Sequence, residues 1–384
     1  MQQKPKVAII GAGFMGGAHT EALRRIGVEV HGLLGVDAEE TAKATARFGI
    51  PKGYASFDEV CADADITAVH LCTPNYLHAA QAKAALQAGK HVLCEKPLAT
   101  TSAEAAELVQ LARQKNLAAA VNYSIRYYPM NQEARARIQS GMIGEPRILH
   151  AEYCQDWLFL PTDWNWRLEP QQGGELRVVG DIGTHVMDML TWLTGLEITA
   201  VMADLTTFIP TRQRPKGEVE TFSGKLQTAA ETEAVSIHTE DFASILLRFN
   251  NGARGVITLS QVSAGRKNNF WWEINGSKAS LAWRQEEPNE MWLGYREKPN
   301  ELLLKDPALM QPEVRRYAAY PGGHAEGYPD TFARHFADFY AYIAAGDMQR
   351  KPPFPSFADG WRELLLCEAV QQSARQGGWV QVSG

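Results

Sequence analysis

The stretch Val7-Ala8-Ile9-Ile10-Gly11-Ala12-Gly13-Phe14-Met15-Gly16 constrains this chain more than any other. A short apolar run leads into Gly-x-Gly-x-x-Gly, and a helical pattern follows at once. That order is the strand, turn and helix of a crossover unit whose turn holds a pyrophosphate. Gly11 permits the tight turn. Gly13 has no Cβ to keep a phosphate away, and Gly16 lets the helix pack close to the strand. The helix N-terminus then faces the phosphates. Gly11, Gly13, Phe14, Met15 and Gly16 are therefore expected to bind a dinucleotide. The bare alternative is a tight glycine turn that binds nothing.

Residues 1–123 continue as strand–helix units. Apolar strands are expected over Val7–Ile10, Val28–Leu34, Ala68–Cys72, His91–Cys94 and Ala118–Val121. Helical patterns lie between them, over His19–Ile26, Ala38–Phe48, His78–Ala88 and Ser102–Lys115. The last opens on a capping box, Thr101-x-x-Glu104. Gly27, Gly49 and Gly89 stand where helices end. Continuous apolar strands alternating with helices predict a parallel sheet covered on both faces.

After Tyr123 the texture changes. Helices are expected over Asn131–Ser140, Asp181–Thr194, Pro329–Ala345 and Phe357–Gln376. Between them strands dominate: Arg147–Tyr153, Glu197–Leu205, Ala243–Phe249, Gly255–Val262, Phe270–Asn275 and Met291–Tyr295. Asn250-Asn251-Gly252 reads as a hairpin turn. Residues 208–240 are polar without a period and read as a long loop or irregular excursion. A chain of 384 residues is long for one core. The expected class is α/β: a doubly wound Rossmann sheet over 1–123, then an α+β domain over 124–384 on a large, mostly antiparallel open sheet.

Composition narrows the function. The net charge is −6 and no block of like charge occurs, which argues against nucleic-acid partners. No apolar run approaches the roughly 18 residues of a membrane span. The strand pattern begins at Val7, directly before the glycines, so no signal peptide is expected. The five cysteines are scattered and fit neither a disulfide framework nor a zinc pattern. Cys72 and Cys94 lie in apolar runs and read as buried thiols, in keeping with a reducing cytoplasm.

Two further segments carry chemistry. The fifth strand ends in Cys94-Glu95-Lys96-Pro97, and ligands of doubly wound sheets lie beyond the carboxyl ends of the strands. Lys96 there would polarise a carbonyl or steady a developing alkoxide. Gly180-Asp181-Ile182-Gly183-Thr184-His185-Val186-Met187-Asp188 sets Asp181 and His185 four apart, on one face of a helix. A histidine suits proton transfer near neutral pH, with a carboxylate to orient it or grip a hydroxyl. The bland alternative is a helix with Asp181 as N-cap and His185 in the core. A metal held by Asp181, His185 and Asp188 finds no obvious further ligands, so no metal is expected.

Gly-x-Gly-x-x-Gly, Thr73-Pro74-Asn75-x-x-His78, Glu95-Lys96-Pro97 and Gly180-Asp181-x-Gly-x-His185-x-x-Asp188, in this order, resemble the glucose-fructose oxidoreductase/inositol dehydrogenase/rhizopine catabolism (Gfo/Idh/MocA) family over essentially the whole chain. The resemblance implies Lys96, Asp181 and His185 as the catalytic set. It sets Thr73, Pro74, Asn75 and His78 along the cofactor, Glu95, Lys96 and Asn122 near the nicotinamide, and the Trp166-Arg167 pair against the cofactor. The Gly323-His324 segment is similar to a substrate-side segment of the inositol and levoglucosan dehydrogenase branch.

One departure bears on the cofactor. Many members end the second strand with an acidic residue that grips the adenosine ribose, whereas Gly35 stands here. Asp37, two residues on, is the candidate for the ribose hydroxyls, with a loosely specified adenosine end as the alternative. No arginine follows to hold a 2′-phosphate. NAD is expected, with NADP left open.

The resulting expectation is an NAD(P)-dependent oxidoreductase that interconverts a secondary alcohol and a ketone on a sugar, anhydrosugar or cyclic polyol. Lys96, Arg126, Tyr127, Trp164, Asp181, His185 and His324 are the expected substrate contacts, with Tyr128 and Trp157 as further wall candidates; the alternative for the aromatics is a core role. Rival functions are a glycoside hydrolase that uses NAD transiently and a non-catalytic NAD(P)-binding sensor. Apolar positions on both faces of Phe270–Ile274 predict a homodimer or homotetramer formed sheet to sheet. The alternative is that the 208–240 excursion folds back over that sheet.

Overall fold

A computed structural model describes residues 5–216 and 231–382 of the chain. Two compact units emerge: Met1–Ser124 with Pro329–Leu364, and Ile125–Tyr328 with Leu365–Gly384. The chain therefore returns to the first unit late, which a single division between 123 and 124 leaves out.

The first unit opens with β1 (Lys6–Ile10), α1 (Phe14–Arg25), β2 (Glu29–Leu34), α2 (Ala38–Phe48), β3 (Lys52–Gly53) and α3 (Phe57–Ala62). It continues with β4 (Ala68–Leu71), α4 (Asn75–Gln87), β5 (His91–Cys94), α5 (Ser102–Lys115) and β6 (Ala119–Val121). The sheet is six-stranded, ordered β3-β2-β1-β4-β5-β6, and every pair is parallel. The order reverses beside β1, the switch point at which such sheets bind ligands. All four residues of β4 are buried, as a sheet covered on both faces requires. The capping box of α5 is formed by Thr101 and Glu104.

Helix α1 begins at Phe14, earlier than the pattern from His19, because Gly13 serves as its N-cap. The pattern also misses β3 and α3. These elements are short, and α3 is announced only by Ser56, whose hydroxyl accepts from the Glu59 amide.

The second unit contains α6 (Pro129–Gln139), β7 (Pro146–Cys154), α7 (Pro170–Gly173), α8 (Thr184–Thr194) and β8 (Ile198–Thr206). Then come β9 (Thr211–Pro215), β10 (Thr232–Ser236), β11 (Phe242–Phe249), β12 (Arg254–Ser260) and β13 (Asn269–Gly276). The strands β14 (Ser280–Arg284), β15 (Glu290–Gly294) and β16 (Glu301–Leu304) follow. Helix α9 (Tyr328–Ala345) packs in the first unit, α10 (Phe357–Gln376) begins in the first unit and ends in the second, and β17 (Val380–Gln381) closes the large sheet. That sheet is nine-stranded, ordered β16-β15-β14-β13-β7-β12-β11-β8-β17. Only the β7–β12 pair is parallel; the others are antiparallel. Asn250-Asn251-Gly252 turns β11 into β12 as expected.

The excursion over 208–240 is more ordered than the sequence reading allows. β9 and β10 pair antiparallel within it; residues 217–230 lie outside the described residues. The ribbon gave no apolar signal because its anchor is a buried arginine. Arg212 donates to the carbonyls of Leu158 and Leu160, each at 2.8 Å.

The inner face of the large sheet buries Phe270, Trp272 and Ile274 of β13. Trp271 and Glu273 alternate to the other face and are half-buried. There Met202, Leu246 and Val256 fall into one row across β8, β11 and β12.

Candidate active site

In the first unit the glycine turn is built for close approach. Gly11 has φ +104°, and a Cβ on it would come within 2.6 Å of the Cys72 carbonyl oxygen. A Cβ on Gly16 would lie 2.1 Å from the Gly11 oxygen, whereas one on Gly13 would meet nothing within 4 Å. The turn is thus closed on the protein side and open above Gly13, at the N-terminus of α1. This is the cradle a pyrophosphate needs, and the residues present fit a dinucleotide. Phe14, the first residue of α1, is half exposed.

The adenosine end is acidic. Asp37 is exposed and caps α2, accepting from the Glu40 amide at 2.8 Å. Glu40, which sequence reasoning missed, folds back and accepts from the Val36 amide at 2.6 Å. Two carboxylates therefore flank the turn after β2, and both would repel a 2′-phosphate.

Thr73, Pro74 and Asn75 form the turn from β4 into α4, with Pro74 as N-cap. Thr73 donates its hydroxyl hydrogen to Gln81 at 2.7 Å. The His78 ring is buried between two carbonyls, with Nδ1 2.7 Å from Pro97 O and Nε2 2.8 Å from Thr73 O. Burial pulls its pKa below the ordinary value, against the two carbonyls. His78 thus staples the turn after β4 to the turn after β5.

Lys96 stands half-buried beyond the carboxyl end of β5. Glu95 beside it is buried and accepts from Asn122 Nδ2 at 2.5 Å and from His19 at 2.8 Å. Burial alone would raise the Glu95 pKa; His19, Asn122 and the Lys96 charge overcome it and bring it to about 2.

In the second unit the helix expected over Asp181–Thr194 is α8 preceded by a wide π turn, Val179–Gly183. Asp181 lies in this turn and is not an N-cap. Its Oδ1 accepts from Arg167 Nε at 3.1 Å and its Oδ2 from Gln261 Nε2 at 2.8 Å. The extra residue of a π turn breaks the straight-helix spacing, and such turns gather at functional sites. His185 sits in the first turn of α8, its ring centroid 6.4 Å from that of Tyr153. Arg167 also lies over the Trp166 ring, 4.3 Å from its centroid.

Behind Asp181 is a buried cluster with no sequence signal. Gln261 Oε1 accepts from Arg177 Nη1 at 3.4 Å, and Arg177 and Arg212 both reach Asp241.

Other candidates are engaged elsewhere. Arg126 forms a buried two-pronged pair with Asp188 (Nε to Oδ2, 2.8 Å), so Asp188 does not join Asp181. The buried Tyr127 ring packs edge-on to Tyr317. The buried Tyr128 packs near Trp283, and Trp157 donates to Gln155 at 2.8 Å. Trp164 packs against the Leu158–Leu168–Ile237 cluster. His324 is exposed, and its carbonyl accepts from Lys305 at 2.7 Å.

The chain matches two family models: an oxidoreductase family with an NAD-binding Rossmann fold over residues 5–123, and a GFO/IDH/MocA C-terminal domain over residues 131–282. It is 32% identical to levoglucosan dehydrogenase of Pseudarthrobacter phenanthrenivorans, over 99% of this chain and 98% of that protein. The structure of a levoglucosan dehydrogenase in complex with NADH and levoglucosan is similar throughout, with TM-score 0.89, 30% identity and full coverage of both chains (100%). An inositol dehydrogenase homologue complexed with NAD+ from Azotobacter vinelandii is similar at TM-score 0.86 and 26% identity, over 99% of this chain and 98% of that one.

Proposed function

This chain belongs to the Gfo/Idh/MocA family of NAD-binding oxidoreductases, and on that premise we propose that it interconverts a secondary alcohol and a ketone on a sugar, anhydrosugar or cyclic polyol. The observation that carries the reading is in the first unit. One parallel sheet offers an open glycine cradle after β1 and Lys96 at the carboxyl end of β5.

His185 takes the hydroxyl proton at a ring nitrogen. Lys96 steadies the oxygen as charge develops on it. Asp181, clamped by Arg167 and Gln261, orients a substrate hydroxyl or the imidazole. NAD, when bound in the glycine cradle, supplies the hydride acceptor. The two carboxylates after β2 favour NAD over NADP. The test is a screen of levoglucosan, inositols and hexoses with NAD at 340 nm. Reduction with one of these is expected, and none with any would reject the reading.

The likeness to levoglucosan dehydrogenase makes an anhydrosugar the first substrate to try. Assembly into a homodimer or homotetramer is proposed through the outer face of the large sheet, where Ile148, Met202 and Leu246 are exposed. Light scattering would reject it with a mass near 42.5 kDa. Among the described residues no helix is long and apolar enough to cross a membrane. Cys61, Cys72, Cys94 and Cys154 stand as thiols, which supports a reducing compartment such as the cytoplasm.

A further inference from the structure

The first unit buries a line of polar side chains that the proposed reaction does not use. His70 is the single polar residue of β4, and it is fully buried. Its Nε2 lies 2.8 Å from the Tyr340 hydroxyl, and its Nδ1 lies 2.9 Å from Nδ1 of His19. His19 Nε2 in turn lies 2.8 Å from Glu95 Oε1. Asn122 Nδ2 donates to the same Oε1, while its own oxygen accepts from His335 Nδ1 at 3.0 Å. Phe336 stacks edge-on against both His19 and His70 and keeps the line dry.

The hydrogens can be placed by elimination. A carboxylate oxygen only accepts, so His19 Nε2 carries a hydrogen. In a neutral His19, Nδ1 is then bare, and the hydrogen of the 2.9 Å contact belongs to His70. His70 Nε2 is bare in consequence and accepts from Tyr340. Every donor points from Tyr340 toward Glu95. A second proton on His19 would reverse the links beyond it, yet Nε2 would still donate to Glu95.

Other groups facing Glu95 do not compete for its charge. Cys72 and Cys94 are thiols whose pKa burial drives well above the ordinary value, and burial drives His70 well below its own. His78 is likewise lowered by burial, and His335 faces Asn122. Lys96 is the adjacent cation, and its backbone amide donates to Glu95 Oε2 at 3.4 Å.

We propose that His19 is a positioning residue for Lys96: donating from Nε2 and backed by the Tyr340–His70 line, it holds Glu95 in place, and Glu95 anchors the turn that carries Lys96. This rests on the reading of Lys96 given above. A buried polar line is costly unless each link is satisfied. Here the Glu95 carboxylate fixes each link behind it, and it stands beside the proposed catalytic lysine.

The experiment has two arms. His19→Leu removes the donor and leaves Glu95 to its desolvation. It should lower kcat about tenfold to a hundredfold, with KM changed less than about threefold, and add an acid limb to the kcat profile where a buried carboxylic acid titrates. His19→Gln, whose amide can donate to Glu95, should recover most of kcat and erase that limb. A His19→Leu profile like the wild type's, or a His19→Gln variant no better than His19→Leu, overturns the proposal. The second arm needs no variant to fold: 15N spectra of histidine-labelled wild type should show His19 protonated at Nε2 and a neutral His70 protonated at Nδ1. A bare Nε2 on His19 overturns the proposal as well. The expected tautomers in a protein that oxidises no sugar would defeat the proposed function and not the clamp on Glu95.

Discussion

Each unit holds a carboxylate near a proposed working side chain, Glu95 buried and Asp181 partly so, and the two are held by different chemistry. Glu95 receives an imidazole and a carboxamide. Asp181 receives a guanidinium and a carboxamide, with a second arginine behind the amide. The imidazole meets Glu95 through a single ring nitrogen, and Lys96 is the next residue along the chain. The Arg167 guanidinium cancels much of the charge of Asp181, in the π turn that leads into the helix carrying His185. The sheets differ in parallel: one is covered on both faces, and the other leaves an apolar row on its outer face. The first unit spends its burial on fixing a charge, and the second keeps one face of its sheet available.

The comparison can be broken at its working residues. His185→Asn should lower the rate of alcohol oxidation by roughly 10²–10⁴. It should also flatten the fall in rate as pH drops through the range where an imidazole gains its proton. An unchanged profile would move the proton role out of the second unit, to Lys96 or to water. Lys96→Ala should cut kcat by about 10²–10³, the range for losing one charge-stabilising donor, with NAD affinity in a fluorescence titration nearly unchanged. Turnover within about threefold of wild type would remove Lys96 from the reaction.

The two faces of the large sheet are tested by neighbours. Trp272, fully buried with its Nε1 donating to Asn131 at 3.1 Å, should cost about 3–5 kcal/mol when changed to alanine. Trp271→Ala, on the other face, should cost about 1 kcal/mol in the monomer and weaken assembly instead. Equal losses in urea unfolding would mean that the outer face is covered within the subunit.

The clamp on Glu95 has a pH signature. Its folded pKa of about 2 lies below the usual 4.5, so its contribution is complete above the usual value and is lost as pH falls toward 2. On the order of 3 kcal/mol is at stake. Unfolding measured from pH 6 to pH 2 should lose part of its slope in Glu95→Gln; an identical slope would show that Glu95 is not the group responsible. The smallest effect expected is cofactor choice. NAD should beat NADP by about tenfold in kcat/KM from charge repulsion at the turn after β2. A tenfold preference for NADP would mean that basic residues outside the turn hold the phosphate.

Much of the architecture was legible because it is local. Apolar runs and helix-ending glycines marked the parallel sheet of the first unit, and alternation marked most of the large one. The excursion at 208–240 was not legible, since β9 and β10 are held by a ladder and a buried Arg212, and neither leaves a periodic trace. The proposed site residues divide the same way. Lys96 was visible from its place at a strand end. Gln261 and Arg177 lie 80 and 4 positions from Asp181, and nothing in their neighbourhoods marks them. His70 did leave a sign, a lone polar residue in the run Ala68-Val69-His70-Leu71, which calls for a buried partner.

By itself the sequence determined the glycine turn, the strand after which Lys96 stands and the presence of a histidine and an aspartate near the start of one helix. These follow from backbone preferences and apolar periodicity, which act over a few residues. Tertiary structure alone decided which polar groups meet. It paired Asp188 with Arg126 and so separated it from Asp181, opened a π turn under Asp181, and lined up Tyr340, His70 and His19 behind Glu95. Hydrogen-bond partners are chosen by proximity in space, and burial makes the choice binding, because a polar group removed from water must be satisfied by whatever the fold brings beside it.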